Sequence, residues 1–264
     1  MRSASHRGRF LPLMAALTAT AWVALALWGQ SPDARWLDHG SSAEIGVAGS
    51  LCRAFPGGRD ALTGSLVVGG WVLMLSAMML PTTLPLLDIF RRLTARRADR
   101  PWLTALVVIG YLAVWSAFGL AAHLADWGIV VAARQSDWLV SNLWLIGAAI
   151  LAIAGGYQFT ELKYRCLDKC RAPLGFVIAH WRGASEKSQA FLLGIRHGVF
   201  CVGCCWCLML LMFVIGSANA GWMLALGAVM AAEKNLPAGR RLAAPIGAAL
   251  LLAAGWVALA GATA

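Results

Sequence analysis

Residues 197–212 read HGVFCVGCCWCLMLLM and carry no formal charge at neutral pH. Together with its apolar neighbours up to Gly216, this run is long enough for a helix that crosses a bilayer, which needs roughly 20 apolar residues. It is continuously apolar, whereas the strands of a membrane barrel alternate apolar and polar residues. It also holds four of the seven cysteines of the chain. The stretch therefore predicts a membrane-spanning helix that is rich in sulfur.

The rest of the chain has the same character. Hydrophobic residues make up 60% of the sequence and charged residues 13%, whereas about a quarter of the residues in soluble domains are charged. Seven apolar segments are candidate spans: residues 10–28, 62–87, 103–125, 139–159, 196–216, 218–232 and 242–262. The sequence predicts an all-α fold, a polytopic transmembrane bundle of about seven helices that forms a single domain over residues 1–264.

The formal net charge is +10, and the distribution of the basic residues along the chain agrees with the predicted topology. We expect the N-terminal segment to be a retained first helix with a cytoplasmic N-terminus. The 22 Lys and Arg residues of the chain are then distributed very unevenly between the two sides of the membrane. All but four face the cytoplasm, and the exceptions are Arg35, Arg53, Arg59 and Arg134. This is the positive-inside pattern of membrane proteins. The basic excess therefore predicts orientation in a lipid bilayer and argues against nucleic-acid binding.

The cysteines of the quoted stretch share one side of the predicted helix. At helical spacing, His197, Cys201, Cys204 and Cys205 fall within a face about 100° wide. Thiolates are soft ligands that favour Cu(I) and zinc over magnesium or calcium. One helix supplies donors from one side only, so a metal ion needs further ligands from neighbouring segments.

Two other segments offer such donors. The stretch WVLMLSAMMLP places methionines in the second span, and CLDKC places two cysteines in a predicted cytoplasmic segment. The additional candidate ligands are Met74, Met78, Met79, Cys166 and Cys170. The sequence thus predicts a site in the cytoplasmic half of the bundle, with the second cysteine pair as an entry clamp or a second site.

Other interpretations stay open at this point. Cys201/Cys204 or Cys166/Cys170 could serve a membrane thiol-disulfide oxidoreductase, since a thiol near cationic groups is reactive. The cysteines could also simply pack in a non-catalytic assembly partner. Haem is not excluded as a cofactor, because His197 and the methionines could form a haem site. A structural disulfide is disfavoured because both clusters face the reducing side.

Two further features have structural consequences. Pro81 and Pro85 should kink or end the second span. Glu233 directly follows an apolar run near the inner interface, where a carboxylate needs a partner. We expect an ion pair of Glu233 with Lys163, Lys234 or Arg196.

Three motifs resemble a bacterial family of predicted metal-binding integral membrane proteins of unknown function, over roughly residues 62–234. They are Trp71-x2-Met74-x2-Ala77-Met78-Met79-x-Pro81; Tyr157-Gln158-x-Thr160-x-Leu162-Lys163-x2-Cys166-Leu167-x2-Cys170-Arg171-x-Pro173; and Cys201-x-Gly203-Cys204-Cys205-Trp206-x-Leu208-Met209, followed by Asn219-x2-Trp222-Met223 and Glu233-Lys234. The resemblance implies metal binding in a bacterial inner membrane and implies no reaction.

Taken together, these patterns predict a multi-pass membrane protein that binds a soft metal ion. Cu(I) is favoured and zinc is the second choice. The expected task is metal handling or delivery to a metal-receiving protein partner, rather than chemistry on an organic substrate.

Overall fold

The computed structural model describes residues 3–30, 58–136, 138, 141–142, 144–182, 186–215 and 220–263. Within these ranges the chain is all-α and contains no strand. The helices are α1 (Ser3–Gly29), α2 (Gly58–Met78), α3 (Leu84–Leu93), α4 (Arg100–Arg134), α5 (Trp144–Tyr157), α6 (Glu161–Arg171), α7 (Pro173–His180), α8 (Glu186–Ile215), α9 (Ala220–Asn235) and α10 (Gly239–Thr263). Cys52 and Asn219 lie outside the described residues.

Four of these helices contain segments long and apolar enough to cross a membrane. The segments are Pro12–Gly29, Arg100–Asp126, Glu186–Met212 and Gly239–Thr263. Two bent pairs qualify when each is taken as one span, which gives up to six. The predicted sixth span corresponds to α9, which has 16 residues and is shorter than the roughly 20 that a crossing requires. The count of seven crossings stays a prediction.

Prolines shape the first bent pair. Helix α2 ends at Met78, a 3-10 turn spans Pro81–Thr83, and α3 begins at Leu84. The two arms meet at 44°. Proline lacks the N–H that a continuing helix needs and is well accommodated in a first turn. The predicted break at Pro81 and Pro85 is confirmed.

Glycines let α8 approach α4 closely. A Cβ atom added to Gly194 would collide with the carbonyl oxygen of Val107, and one on Gly198 would lie 2.9 Å from Cβ of Val114. Gly110 on α4 would meet the carbonyl oxygen of Phe191 in the same way. Small residues at i and i+4, as in the Gly194-x3-Gly198 spacing, permit such backbone contact. Helix α8 is thereby fixed at the centre of the bundle.

The predicted inner loop after Phe159 is largely helical. Thr160 caps α6, because its hydroxyl accepts from the backbone N–H of Lys163 at 3.4 Å. Glu161 in the first turn and Arg171 in the last turn complement the helix dipole. Pro173 then starts α7. The axes of α5 and α6 differ by 63°, so α6 folds back beside α8.

The outer surface of the bundle is apolar. On α10, Leu252, Trp256 and Leu259 are 76%, 74% and 70% exposed. The buried core, in contrast, contains all the cysteines of α8 and a group of methionines. Large exposed apolar surfaces of this kind mark sites of contact with lipid or with other proteins.

Candidate metal centre

Three cysteine side chains of α8 converge in the core. The Sγ atoms of Cys201, Cys204 and Cys205 all lie within 4.8 Å of one another. Each residue is 1% exposed. The i, i+3, i+4 spacing places them on neighbouring turns of one helix face, and the Gly-mediated packing described above keeps that face away from the surface. We call these three residues the thiol cluster.

The thiol cluster fits a soft metal ion. Metal–thiolate bonds are about 2.3 Å long, so sulfur atoms around one ion lie about 4 Å apart. The observed separations therefore need only small side-chain movements. The thiols of Cys204 and Cys205 each donate to the carbonyl oxygen of Cys201 at 3.0 Å. A metal would displace these protons, since the thiolate is the ligand form.

A fourth sulfur comes from α6. The thiol of Cys170 interacts with those of Cys201 and Cys204, and the residue is partly exposed. The structure thus places Cys170 beside the thiol cluster. Cys170 is therefore a candidate sulfur ligand from a second helix, although it lies outside the group of three whose Sγ atoms are within 4.8 Å of one another.

Cys166 packs against α8 at a glycine. A Cβ atom added to Gly203 would lie 2.6 Å from Sγ of Cys166. The missing side chain at Gly203 therefore creates the space into which the thiol of Cys166 fits. Among the described residues, Cys166 is not a member of the thiol cluster, and its contact with Gly203 is one of helix packing.

The methionines of the second span lie in the same core. Met74, Met78 and Met79 are buried together with the thiol cluster. The side chain of Met78 reaches α9, with its Cε 3.7 Å from the Cβ position of Gly227. The backbone carbonyl of Met79 accepts a hydrogen bond from Tyr111 Oη at 3.4 Å.

His197 lies near the thiol cluster but is not part of it. Its ring stacks on Tyr111 with centroids 5.8 Å apart and meets the edge of Phe176 at 5.6 Å. The side chain is buried, and its Nδ1 has no hydrogen-bond partner among the residues that the structure describes. An imidazole nitrogen in this state is available as a ligand, although the aromatic packing holds the ring apart from the three sulfur atoms.

A buried lysine reaches the thiol cluster from α9. The Nζ atom of Lys234 lies 2.9 Å from Sγ of Cys201 and 3.7 Å from Sγ of Cys205. It also donates to Oγ1 of Thr82 at 3.3 Å. Tyr111 Oη lies 3.0 Å from Sγ of Cys201 on another side. An ammonium at this distance favours negative charge on sulfur.

The adjacent carboxylate has a different partner. The carboxylate of Glu233 accepts from Nζ of Lys163 at 2.8 and 2.9 Å, and the two side chains are 2% and 0% exposed. Gln158 accepts from the same ammonium. The predicted ion pair of Glu233 is thus formed with Lys163. Because Lys163 neutralises Glu233, the positive charge of Lys234 remains available to the sulfur atoms of Cys201 and Cys205.

Comparison with known families agrees with this arrangement. The sequence profile of the PpoB2 family, described as a copper chaperone, matches residues 68–257. The chain belongs to the copper chaperone family PpoB2. No curated protein and no solved structure matches. Membership confirms the predicted relation to a metal-binding family, and it identifies copper as the metal that this family handles.

Local sequence patterns do not identify two residues, Lys234 and Tyr111, that contact the thiol cluster in this member of the copper chaperone family. The sequence predicts Lys234 only as a possible partner of Glu233. Its position at the end of an apolar run is the signal that could have indicated a buried role. Tyr111 lies in the apolar stretch GYLAVW, and nothing in its local pattern indicates a contact with cysteine.

Proposed function

We propose that this member of the copper chaperone family binds Cu(I) through Cys201, Cys204 and Cys205, with Cys170 as an exchangeable sulfur ligand, and delivers it to a partner protein. The observation that carries the proposal is the convergence of three buried thiols within 4.8 Å. In this account copper is the cargo of the protein.

The donor set favours Cu(I). Thiolates prefer soft ions, and Cu(I) is stable with only two or three sulfur ligands. Zinc usually takes four ligands in a closed tetrahedron, which would require Cys170 as a permanent ligand. The methionines and His197 then lie around the site as weaker donors that a passing ion can use.

Lys234 supports the metal-bound state. Cu(I) held by three thiolates has a net charge of −2, whereas three thiols are neutral. A charged complex in a buried site is costly unless it is compensated. The ammonium of Lys234, 2.9 Å from Cys201, would offset one of these two negative charges without occupying a ligand position.

Delivery requires a sulfur that a partner can approach. Cys170 is partly exposed, whereas each member of the thiol cluster is buried. Its contacts with Cys201 and Cys204 suit a ligand-exchange step, in which a new copper–sulfur bond forms before an old one breaks. Copper would enter or leave through Cys170 and keep its oxidation state.

The membrane setting is part of the proposal. Four apolar helices, or up to six spans with the bent pairs, and the uneven distribution of basic residues support a multi-pass protein of the bacterial inner membrane. With the N-terminus in the cytoplasm, the thiol cluster would lie in the cytoplasmic half, where the reducing environment keeps thiols free.

Anaerobic elemental analysis of the purified protein tests the assignment. We expect about one copper per chain in the wild type and loss of most of it in Cys204→Ser. Cys207→Ser is the matched control, because Cys207 lies on the same helix and is equally buried at 1% but is outside the thiol cluster. Equal copper content in both variants would contradict the proposal. Zinc in place of copper in the wild type would contradict the assignment of Cu(I) as the bound metal.

A thiol-disulfide oxidoreductase is the second candidate, and the contact of Lys234 with Cys201 favours it, because cations activate thiols. The 1% exposure of Cys201 argues against it, since reactive thiols are partly accessible. Differential alkylation in cells separates the two functions. A reversible oxidised fraction of the Cys201/Cys204 pair would support redox chemistry, and permanently reduced thiols would dismiss it.

A further inference from the structure

A basic cavity lies at the start of α10. It has a volume of about 430 Å³ and opens between the end of α6 and the connection from α9 to α10. Its lining residues are Arg171, Pro237, Ala238, Arg240 and Arg241. Among the lining residues that the structure describes, three are arginines and none is acidic. We propose that this arginine cavity binds a phosphate group.

The position of two arginines on α10 is unfavourable without an anion. Arg240 and Arg241 are in the first turn of this 25-residue helix, which contains no acidic residue in that turn. The N-terminal end of a helix has a partial positive charge and disfavours cations. A phosphate at this point would interact favourably with the positive end of the helix and would accept hydrogen bonds from both guanidinium groups.

The protein orients these cations without neutralising them. The guanidinium of Arg240 lies 5.1 Å from the ring centre of Tyr164, and its ion pair with Asp168 is long, at 3.4 Å, with side chains 56% and 48% exposed. Arg241 forms no ion pair within the described part of the chain. The net positive charge of the cavity therefore remains available to a ligand.

The third arginine builds the wall of the cavity. Arg171 donates to the carbonyl oxygen of Glu233 and, at 2.9 Å, to that of Pro237. These bonds tie the end of α6 to the connection between α9 and α10. Because both acceptors are uncharged, Arg171 also keeps its full positive charge at the cavity.

The size and place of the cavity suit a phosphate ester. Small-molecule sites typically have volumes of about 300–1,000 Å³, and arginine forks match the geometry of phosphate oxygens. The phosphate could come from an anionic phospholipid headgroup, which basic pockets on the cytoplasmic side of membrane proteins bind, or from a soluble phosphate. The chemistry is the same for both sources.

Thermal unfolding of the copper-free, detergent-purified protein tests the proposal. The probes are short-chain phosphatidylglycerol, short-chain phosphatidylcholine as the headgroup without net charge, and inorganic phosphate. The variant Arg240→Gln/Arg241→Gln removes two cavity charges. Its matched control is Arg92→Gln/Arg165→Gln, which removes two exposed arginines that lie elsewhere and are paired on their own helices. Unfolding without ligand checks that each variant folds.

We expect a saturable rise of the unfolding temperature with phosphatidylglycerol or with inorganic phosphate. The probe that acts identifies the source. The cavity variant should bind at least about tenfold more weakly, because two charge-assisted hydrogen-bond partners are lost, and the control variant should bind like the wild type. No rise with either probe, an equal rise with phosphatidylcholine, or equal weakening in both double variants would overturn the proposal. Copper is absent throughout, so the outcome is independent of the copper assignment.

Discussion

The ammonium of Lys234 lies 2.9 Å from the sulfur of Cys201, although the two residues are on different helices. Both are buried, so water does not screen the interaction strongly. The contact connects α9 to the thiol cluster and places a fixed positive charge next to the site that is proposed to hold copper. In the proposed copper site, Lys234 would therefore raise copper affinity without being a ligand itself.

Replacing this lysine tests its electrostatic role. Lys234→Met should weaken Cu(I) binding by about 10- to 100-fold, the usual effect of losing a residue that supports metal ligands. At saturating copper the stoichiometry should be unchanged. Anaerobic competition with a Cu(I) chelator measures the affinity. Lys169→Met, at an exposed position on α6, is the control, and equal affinity in the two variants would refute the role of Lys234.

The buried ion pair between Lys163 and Glu233 should determine stability. Lys163→Met leaves an unpaired carboxylate in the core and should lower the free energy of unfolding by about 3–5 kcal/mol. Lys163→Met/Glu233→Met should recover much of this loss, because no unpaired charge remains. Denaturant unfolding in detergent measures both variants.

The exposed pair Glu161–Arg165, 76% and 73% accessible, provides the comparison for that experiment. Arg165→Met should change stability by less than about 1 kcal/mol. A loss as large as that of Lys163→Met would mean that burial does not set the cost.

Gly203 controls how α6 fits against α8. Gly203→Ala places a methyl group 2.6 Å from Sγ of Cys166 and should destabilise the protein by about 1–3 kcal/mol through overpacking. It should also weaken copper binding, because Cys170 moves with α6. Adding Cys166→Ala should restore both properties. Gly227→Ala, where the nearest atoms are 3.7 Å away, should be nearly neutral.

The copper affinity of Gly203→Ala/Cys166→Ala distinguishes a packing role of Cys166 from a ligand role. The double variant keeps the thiol cluster and Cys170 but lacks one sulfur. Restored stability without restored copper binding would identify Cys166 as a ligand, contrary to the packing role that its contact with Gly203 indicates.

Local patterns predicted much of the fold and part of the site. The apolar runs predicted the helices, Pro81 predicted the bend, and the spacing of Cys201, Cys204 and Cys205 predicted a common face. These features depend on residues within one helix, so the 3.6-residue period is sufficient. The Gly194-x3-Gly198 spacing is compatible with close helix packing but does not identify α4 as the partner.

Contacts between distant segments could not be read in this way. Tyr111 and Cys201 are 90 residues apart and Lys234 and Cys201 are 33 apart. Their meeting depends on how α4, α8 and α9 pack. The return of Cys170 to the thiol cluster likewise depends on the 63° bend after α5, whose angle no short pattern specifies.

The proposed orientation in the membrane can be tested with reporter fusions. A fluorescent protein that matures only in the cytoplasm, fused after Thr94, should fluoresce, because the connection between α3 and α4 is basic and predicted to face inward. A periplasmic phosphatase fused at the same point should be inactive. The opposite pair of results would place the thiol cluster in the other half of the bilayer.

X-ray absorption at the copper edge of the anaerobically loaded protein tests the central claim most directly. We expect Cu(I) with two or three sulfur neighbours at about 2.3 Å, and fewer sulfur neighbours in Cys204→Ser than in Cys207→Ser. A copper shell made only of nitrogen and oxygen, or a sulfur shell that is the same in the two variants, would contradict it.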